Sequence, residues 1–580
     1  MIRMDELSAE LGSKIRAARE VAGRAHDSRF VSTATIPEHL HARAASRPES
    51  PWLTFLDENG VSRAYSTADF YAWVKRLATM LHLHAGIGPG DRVATALHNH
   101  DRTLALYFAA WHLGASVTPL NMTEDDKRLA HVLAHSHAKT LCVFNEYAPR
   151  MRNLVRGLTA LRTVISMDSG APATQQPQDA PLSNEMQLQT ILPAMHLPKL
   201  DAPLAPRADA EALVVYTSGT TGTPKGVVLS QYNLTVDADA IARWHGLTAD
   251  STLMCVLPIH HVNGLVVTHL APLLSGGSTV LNRKFSPQRF FESAGRYGVR
   301  IVSVVPTLLQ FLLEAHPPDF DAHKAAPALT HLICGAGPLT VDLAARFEER
   351  FGIPVCHGYG LSETTCYACF LPAEKTITPE HRHWMRNYGY PSIGVPLDVN
   401  EMAIHDDHGS ALADGAKGEI VIRGHNIMLG YCDNPEANAA AFTYGWFRSG
   451  DEGFFKRGDD GRDYFFITGR YKELIVRGGV KISPLEVDEV LNRIPGVKSA
   501  MAVGFENTVY GEEVGAYVVK QDGATLSDAE VLSACRAAMP AWMSPKVVVF
   551  GETFPVTSTG KYQRNQLKGL FAAYRDAQFR

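Results

Sequence analysis

The chain has 580 residues, of which 46% are hydrophobic and 20% charged, and its 55 Lys plus Arg against 60 Asp plus Glu leave a net charge of −5. That is more chain than one compact core holds, so at least two domains are expected, and the composition excludes a wholly disordered polymer. It gives no global basic bias toward nucleic acid or anionic membrane. No apolar run spans a bilayer, since the best, residues 301–313, is broken by Ser303, Pro306, Thr307 and Gln310. Eight cysteines are too sparse for a disulfide scaffold.

Residues 1–35 form an N-terminal extension. Leu7, Leu11, Ile15, Ala18 and Val21 recur at helical spacing among charges of both signs, which predicts an amphipathic helix lying on the protein body. Asp5, Glu6 and Glu10 stand where a signal or transit peptide avoids acids. The last residues, Ala577-Gln578-Phe579-Arg580, are neither a peroxisomal nor a prenylation signal, and the expected location is cytoplasmic.

From about residue 35 to 165 helical and strand-like runs alternate: a helix over 70–83, a strand over 92–97 and a helix over 104–113. Such alternation predicts an α/β protein with layered, mostly parallel sheets. Residues 168–210, rich in Pro, Gln, Ala and Asp, read as a surface excursion. Strands follow over 213–216, 301–305 and 332–334. Shorter strands with Gly and Asp turns over 399–463 predict a small β-barrel or hairpin set. Beyond Thr468-Gly469-Arg470 lies a self-contained α+β unit with strands near 500–503 and 515–519.

The strongest chemical signal is Tyr216-Thr217-Ser218-Gly219-Thr220-Thr221-Gly222-Thr223-Pro224-Lys225-Gly226. Glycines let backbone N–H groups turn inward, hydroxyls add donors, and Lys225 adds charge, so the loop suits a polyphosphate. It is not a Walker loop, because Pro224 precedes the lysine and Gly226 follows it.

With this loop the chain resembles the AMP-forming adenylating superfamily of acyl-CoA synthetases, aryl-CoA ligases, adenylation domains and luciferases, and lies closest to the acyl-CoA synthetases. The resemblance runs from about residue 36 to the end, with further landmarks in order. Gly335-Ala336-Gly337-Pro338 resembles the adenine-side segment, and Tyr359-Gly360-Leu361-Ser362-Glu363-Thr364 resembles the Tyr-Gly-x-Thr-Glu motif with serine in place of threonine. Trp446-Phe447-Arg448-Ser449-Gly450-Asp451 resembles the ribose motif, Gly469-Arg470-Tyr471-Lys472 the hinge, and Pro555-Val556-Thr557-Ser558-Thr559-Gly560-Lys561 the catalytic-lysine loop. The resemblance implies a large adenylate-forming domain over 36–469, a hinge over 470–473 centred on Lys472, and a smaller mobile lid domain over 474–580.

It implies an ATP-dependent carboxylic acid:CoA ligase, with ATP and CoA as cosubstrates and magnesium as cofactor. In that reading Thr217, Ser218, Gly219, Thr220, Thr221 and Lys225 hold phosphate. Gly335, Ala336, Gly337, Pro338 and Tyr359 flank adenine, while Asp451 and Arg470 hold ribose. Lys561, Glu363 and Ser362 serve the reacting groups: Lys561 supplies positive charge where two anions meet, and Glu363 binds magnesium. His260, His261, Asn263, Val305 and Gly358 border the acyl group. Glycine at 358 leaves room that a bulky residue would close, so an acid larger than acetate is expected, and the polar Asn263 hints at a second polar function. Gly478 and Gly479 would let a pantetheine arm pass close to the backbone.

Other readings stay open: transfer to a carrier protein or amine, a luciferase-like oxidation, a non-catalytic binding protein on the same fold, and a homodimer. A zinc site at Cys356, Cys366, Cys369, His381 and His383 fits no common ligand spacing. His131 and His135 share a helical face beside His137 and read as solvated.

Overall fold

The computed structural model describes residues 8–579, apart from 22, 26–27, 32–34, 171–183, 189–199, 205–206, 218–222, 374 and 558–561. Two large sheets dominate. One has eight strands in the order Gly430–Tyr431, Lys225–Ser230, Glu211–Thr217, Ser116–Pro119, Arg92–Ala96, Thr140–Phe144, Thr163–Met167 and Glu185–Gln187. It is parallel from Glu211–Thr217 outward and antiparallel at the two strands before it.

The second sheet has nine strands, and its parallel centre runs Val355–Tyr359, His331–Cys334, Ile301–Val304, Thr252–Cys255, Ser278–Asn282 and Pro51–Leu56. Cys369–Phe370 pairs antiparallel with Gly358 and Tyr359 at one side. The central strands are buried along their whole length, as expected where helices cover both faces.

Helices Thr67–Ala85, Asp101–His112 and Gln231–Trp244 join residues of both sheets into one apolar cluster that includes Trp52, Phe70, Phe108, Trp111 and Tyr232. Their ends follow local chemistry. Ser66 caps the first helix by accepting from Asp69 N–H, and Gly86 at φ 62° closes it by donating to Leu81 O. Ser230 and Asn233 cap the third reciprocally.

Where a small barrel or hairpin set was expected, four antiparallel strands stand in the order Asn400–His405, Gly418–Gly424, Phe447–Arg457 and Asp463–Arg470. The surface excursion contributes one strand, Glu185–Gln187, to a sheet edge. After Arg470 the chain forms a separate sheet: Val480–Ile482, Ile475–Arg477, Gly511–Lys520 and Val497–Asn507, with Val547–Gly551 beside Gly511–Lys520. Its own apolar cluster includes Ile475, Val487, Leu491, Ala502 and Val518. The N-terminal helix Ala9–Ala18 buries Ile15 and Ala18 against the body. No helix among the described residues is long and apolar enough to cross a membrane.

Candidate active site

Strands Glu211–Thr217 and Val355–Tyr359 both run parallel to neighbours in their sheets, and ligands gather at the carboxyl ends of such strands. A cavity of about 680 Å³ opens there. Its wall includes Thr217, Lys225, Ala336, Gly337, Pro338, Tyr359, Ser362, Glu363, Asp451, Arg470 and Lys472, which lie far apart in sequence. Ser218, Gly219, Thr220 and Thr221 lie outside the described residues, but Thr217 and Lys225, which pair across the two strands, bring both ends of their loop to the wall.

Asp451 is the hub of one side. It lies opposite Arg470 in the antiparallel register, and Arg470 Nε forms an ion pair with its Oδ1 at 3.1 Å. The Tyr359 hydroxyl donates to its Oδ2 at 2.6 Å. Burial and the neighbouring Asp451 charge push the Tyr359 phenol up, so it stays a donor. A carboxylate has about four lone-pair directions, which leaves Asp451 capacity for a ribose diol. Ala336 carries φ 62°, a left-handed backbone that is uncommon for a residue with a Cβ, in the segment beside the cavity.

Glu363 sits on the short 3₁₀ turn Ser362–Thr364 and is buried. The Tyr431 hydroxyl donates to its Oε1 at 2.8 Å, and Lys225 Nζ lies 4.8 Å from the centre of the same tyrosine ring. Tyr431 thus ties the lysine of one segment to the carboxylate of another. A hard oxygen donor beside a phosphate loop fits a magnesium ion.

His357, which the sequence did not single out, also lines the cavity. Its Nδ1 lies 2.9 Å from Ser392 O, a pure acceptor, so Nδ1 carries the proton. Burial holds the ring neutral, with a pKa down at about 4. Its Nε2 is therefore an acceptor at neutral pH, two residues from Tyr359 on the same strand and so on the same face. An acceptor there suits the amino group of a base stacked near Tyr359. Two histidines expected to be solvated also touch the site: His131 Nε2 is 3.3 Å from Pro224 O and His135 Nδ1 is 2.8 Å from the Tyr216 hydroxyl. Only the tertiary fold brings their helix to both ends of the phosphate loop.

The expected acyl wall divides. His260 and His261 line the cavity, whereas Asn263, Val305 and Gly335 are not in its wall. Asn263 is engaged elsewhere, with Nδ2 donating to the Tyr367 hydroxyl at 3.0 Å and Oδ1 accepting from Ser303 at 2.6 Å. Its polarity is spent on the protein and gives no sign of a polar substrate. Gly358 borders the cavity, but a Cβ there would lie 2.4 Å from the Phe370 ring and 2.9 Å from Tyr367. The space beside it is already filled by aromatic rings, which corrects the expectation that this glycine leaves room for an acyl chain. Burial holds His260 neutral, with a pKa down at about 4.

The unit after Arg470 closes the cavity with Thr557, Tyr562 and Arg564. Lys561 lies outside the described residues; a bridge between Val556 and Tyr562 closes the loop that carries it. Arg564 donates to Asp488 at 2.6 Å, a buried pair anchoring that loop to helix Pro484–Asn492. The same helix docks on the large domain. Glu489 accepts from the N–H groups of Val341 and Asp342 at 3.0 and 3.3 Å, at the N-terminus of helix Val341–Phe351, and Glu486 accepts from Tyr390 and from Lys417 at 3.0 Å. Gly478 and Gly479, at φ 56° and 86°, form a hairpin tip outside the cavity wall, flanked by exposed Val476 and Val480. Both positions need the left-handed backbone that glycine adopts without strain.

In the region read against a zinc site, His381 lies 2.5 Å from Glu348 and His383 3.0 Å from the Tyr388 hydroxyl, so both histidines have protein partners.

Comparison with known proteins adds a second line of observation. Residues 40–432 match the family described as AMP-binding enzyme, and residues 486–561 match the AMP-binding enzyme C-terminal domain. The chain is 35% identical to a sulfoacetate–CoA ligase of Cupriavidus necator, over 92% of this chain and 97% of that protein. It is 32% identical to an oxalate–CoA ligase of Arabidopsis thaliana, over 85% of this chain and 90% of that protein. Among solved structures, ATP-bound MatB from Rhodopseudomonas palustris superposes with a TM-score of 0.78 at 26% identity, over 92% of this chain and 99% of that one.

Proposed function

The chain belongs to the AMP-binding enzyme family and its relatives are AMP-forming CoA ligases; on that premise we propose that it joins a small carboxylic acid bearing a second polar group to coenzyme A. The observation that carries the reading is the cavity in which Asp451 accepts a hydrogen bond from Tyr359 and pairs with the Arg470 charge while Glu363 and Lys225 meet on Tyr431. One set suits a nucleoside and the other its phosphates.

In the first half-reaction a carboxylate oxygen attacks the α-phosphorus of ATP and pyrophosphate leaves. Two anions must approach, so preorganised positive charge lowers the barrier. Lys225 supplies it from the phosphate loop and Lys561 from the C-terminal unit. A magnesium ion, when bound at Glu363, screens the phosphate oxygens. Ser362 donates to the same phosphates, and Asp451 fixes the ribose. In the second half-reaction the CoA thiolate attacks the acyl carbonyl and AMP leaves.

Gly478-Gly479 stands outside the cavity while Thr557 and Tyr562 line it, an arrangement suited to the first step. The second step then needs the unit beyond the hinge at residues 470–473 to turn so that this hairpin lines the thiol path, which would cover Val476 and Val480. Support for the acid comes from the two relatives, whose named substrates, sulfoacetate and oxalate, are short and carry a second anionic group. The neutral His260 on the wall offers a hydrogen bond rather than a fixed charge.

The test is a pyrophosphate-release screen across short acids with a second polar group, simple alkanoates and arylpropenoates, with and without CoA. Release with the first class, and thioester formation only when CoA is added, is the expected result. Preference for simple alkanoates overturns the substrate class. Adenylation with no thioester, rescued by an amine or carrier thiol, moves the reading to that acceptor.

A further inference from the structure

The segment from Gly360 to Tyr367, which carries Ser362 and Glu363, leaves the sheet at Tyr359 and returns where Ala368 N–H donates to Tyr359 O at 2.8 Å. It contains a strained residue. Thr365 has φ 63° and ψ −59°, a backbone that a β-branched side chain rarely adopts. Such a conformation costs about 1–3 kcal/mol and persists only where surrounding bonds fix it.

Those bonds centre on one buried residue, Asn426, through both its backbone and its side chain. The Thr365 hydroxyl donates to Asn426 O at 2.6 Å, and Asn426 Nδ2 donates to Tyr367 O at 2.9 Å. Asn426 is held in turn by the fully buried Asp237, whose Oδ1 accepts from Asn426 Nδ2 at 2.9 Å and whose Oδ2 accepts from Tyr367 N–H at 3.4 Å. Asn400 Nδ2 completes the clamp by donating to Asn426 Oδ1 at 2.6 Å. From two residues further on, Met428 N–H donates to Glu363 O at 2.9 Å. Among the described residues no ion pair reaches Asp237, and burial pushes its pKa up to about 8. Burying a carboxyl group without a cation is costly. Ionised, the carboxyl group does what an apolar residue cannot: it accepts two N–H groups at once from the segments that meet behind the turn.

We propose that Asp237 is a positioning residue for nucleotide activation, acting through Asn426 and Thr365 on the turn that aims Ser362 and Glu363 into the cavity. The inference rests on the adenylation reading above, and its test does not depend on knowing the acid. Asp237→Asn keeps the shape but sets an amide N–H against one of two donors, and Thr365→Val removes only the hydroxyl. Thr365→Ser keeps it.

The experiment titrates ATP into each variant of the full chain by calorimetry, with and without magnesium, and follows pyrophosphate release in parallel. Outer-shell changes of this kind typically cost about 10- to 100-fold. Affinity for ATP with magnesium should fall at least tenfold in Asp237→Asn and Thr365→Val, remain at the parent value in Thr365→Ser, and be equal in all four proteins without magnesium. The double variant should lose less than the product of the single losses. Parent-like magnesium-dependent affinity in Thr365→Val, or a Thr365→Ser as impaired as the valine, overturns the proposal. Absence of pyrophosphate release from the parent with every acid counts against the adenylation reading instead, while the binding titration still decides the role of Asp237.

Discussion

Lys561 and Glu363 have different proposed roles in the adenylation step, and single substitutions separate them. Lys561→Ala removes one positive donor from the meeting point of two anions, and loss of such a preorganised group typically slows the step by about a hundred- to a thousandfold. A single-turnover assay of adenylate formation should show that loss, with ATP affinity and melting temperature nearly unchanged. Glu363→Gln keeps the hydrogen bond from Tyr431 possible but removes the charge that attracts a cation. The dependence of initial rate on magnesium should move to higher concentration, and an unmoved curve would leave Glu363 as a structural turn residue. Both proposed roles rest on contiguous motifs; the structure sets Glu363 in the cavity wall, and Lys561 lies outside the described residues. His357 was not legible in the sequence, since its role depends on Ser392 O fixing one ring nitrogen and freeing the other.

At the scale of elements, the pairing of Val355–Tyr359 with Cys369–Phe370 decides what Gly358 does. The missing side chain lets Phe370 and Tyr367 pack directly on the strand. Gly358→Ala should therefore cost about 1–3 kcal/mol of stability through overpacking. Thermal unfolding should show a lowered midpoint, and an unchanged midpoint would mean that the aromatic rings move aside freely. The same packing means that enlarging this residue does not simply trim the acyl space. The sequence offered a glycine before Tyr359 but not the direction in which its absent Cβ points.

The whole molecule couples its two sheets and its C-terminal unit, and two measurements address that scale. Lys472→Pro fixes φ and removes a backbone donor at the proposed hinge. Adenylate formation without CoA should survive, while CoA-dependent turnover of preformed acyl-adenylate should fall; an equal effect on both steps places the pivot elsewhere. The second concerns pH. Burial lowers His98 to about 2 and His112, His269 and His331 to about 4, and lowers His245 as well, so these five are neutral in the fold. An unfolded histidine takes up its proton near pH 6.5, so the unfolded chain binds more protons below that value. Asp237, raised to about 8, works in the opposite direction from about pH 8 down to about 4, one group against these five and the likewise neutral His260 and His357. Stability should peak near about pH 6.5, falling toward pH 8 as Asp237 ionises in the fold and falling more steeply toward pH 4 as the unfolded histidines take up protons, and denaturant midpoints measured across that range check the sign.

The sequence by itself determined the motifs that local order can encode: the Gly/Thr loop that ends at Lys225, the Tyr359 to Thr364 motif, the Asp451 and Arg470 motifs and the loop before Lys561, each a run of neighbouring residues with its own backbone needs. It also carried the alternation of helix and strand that makes parallel sheets, because that alternation is a periodicity along the chain. Only the tertiary structure decided which side chains face one another across distant segments. It set Tyr431 on Glu363, Asp237 behind Thr365, His131 and His135 against the phosphate loop, and Asn263 on Tyr367 instead of in the cavity. The physical reason is that a hydrogen bond is made over about 3 Å between groups that can be far apart in the chain, as Asp237 and Asn426 are at 189 residues, and no local pattern specifies such a meeting.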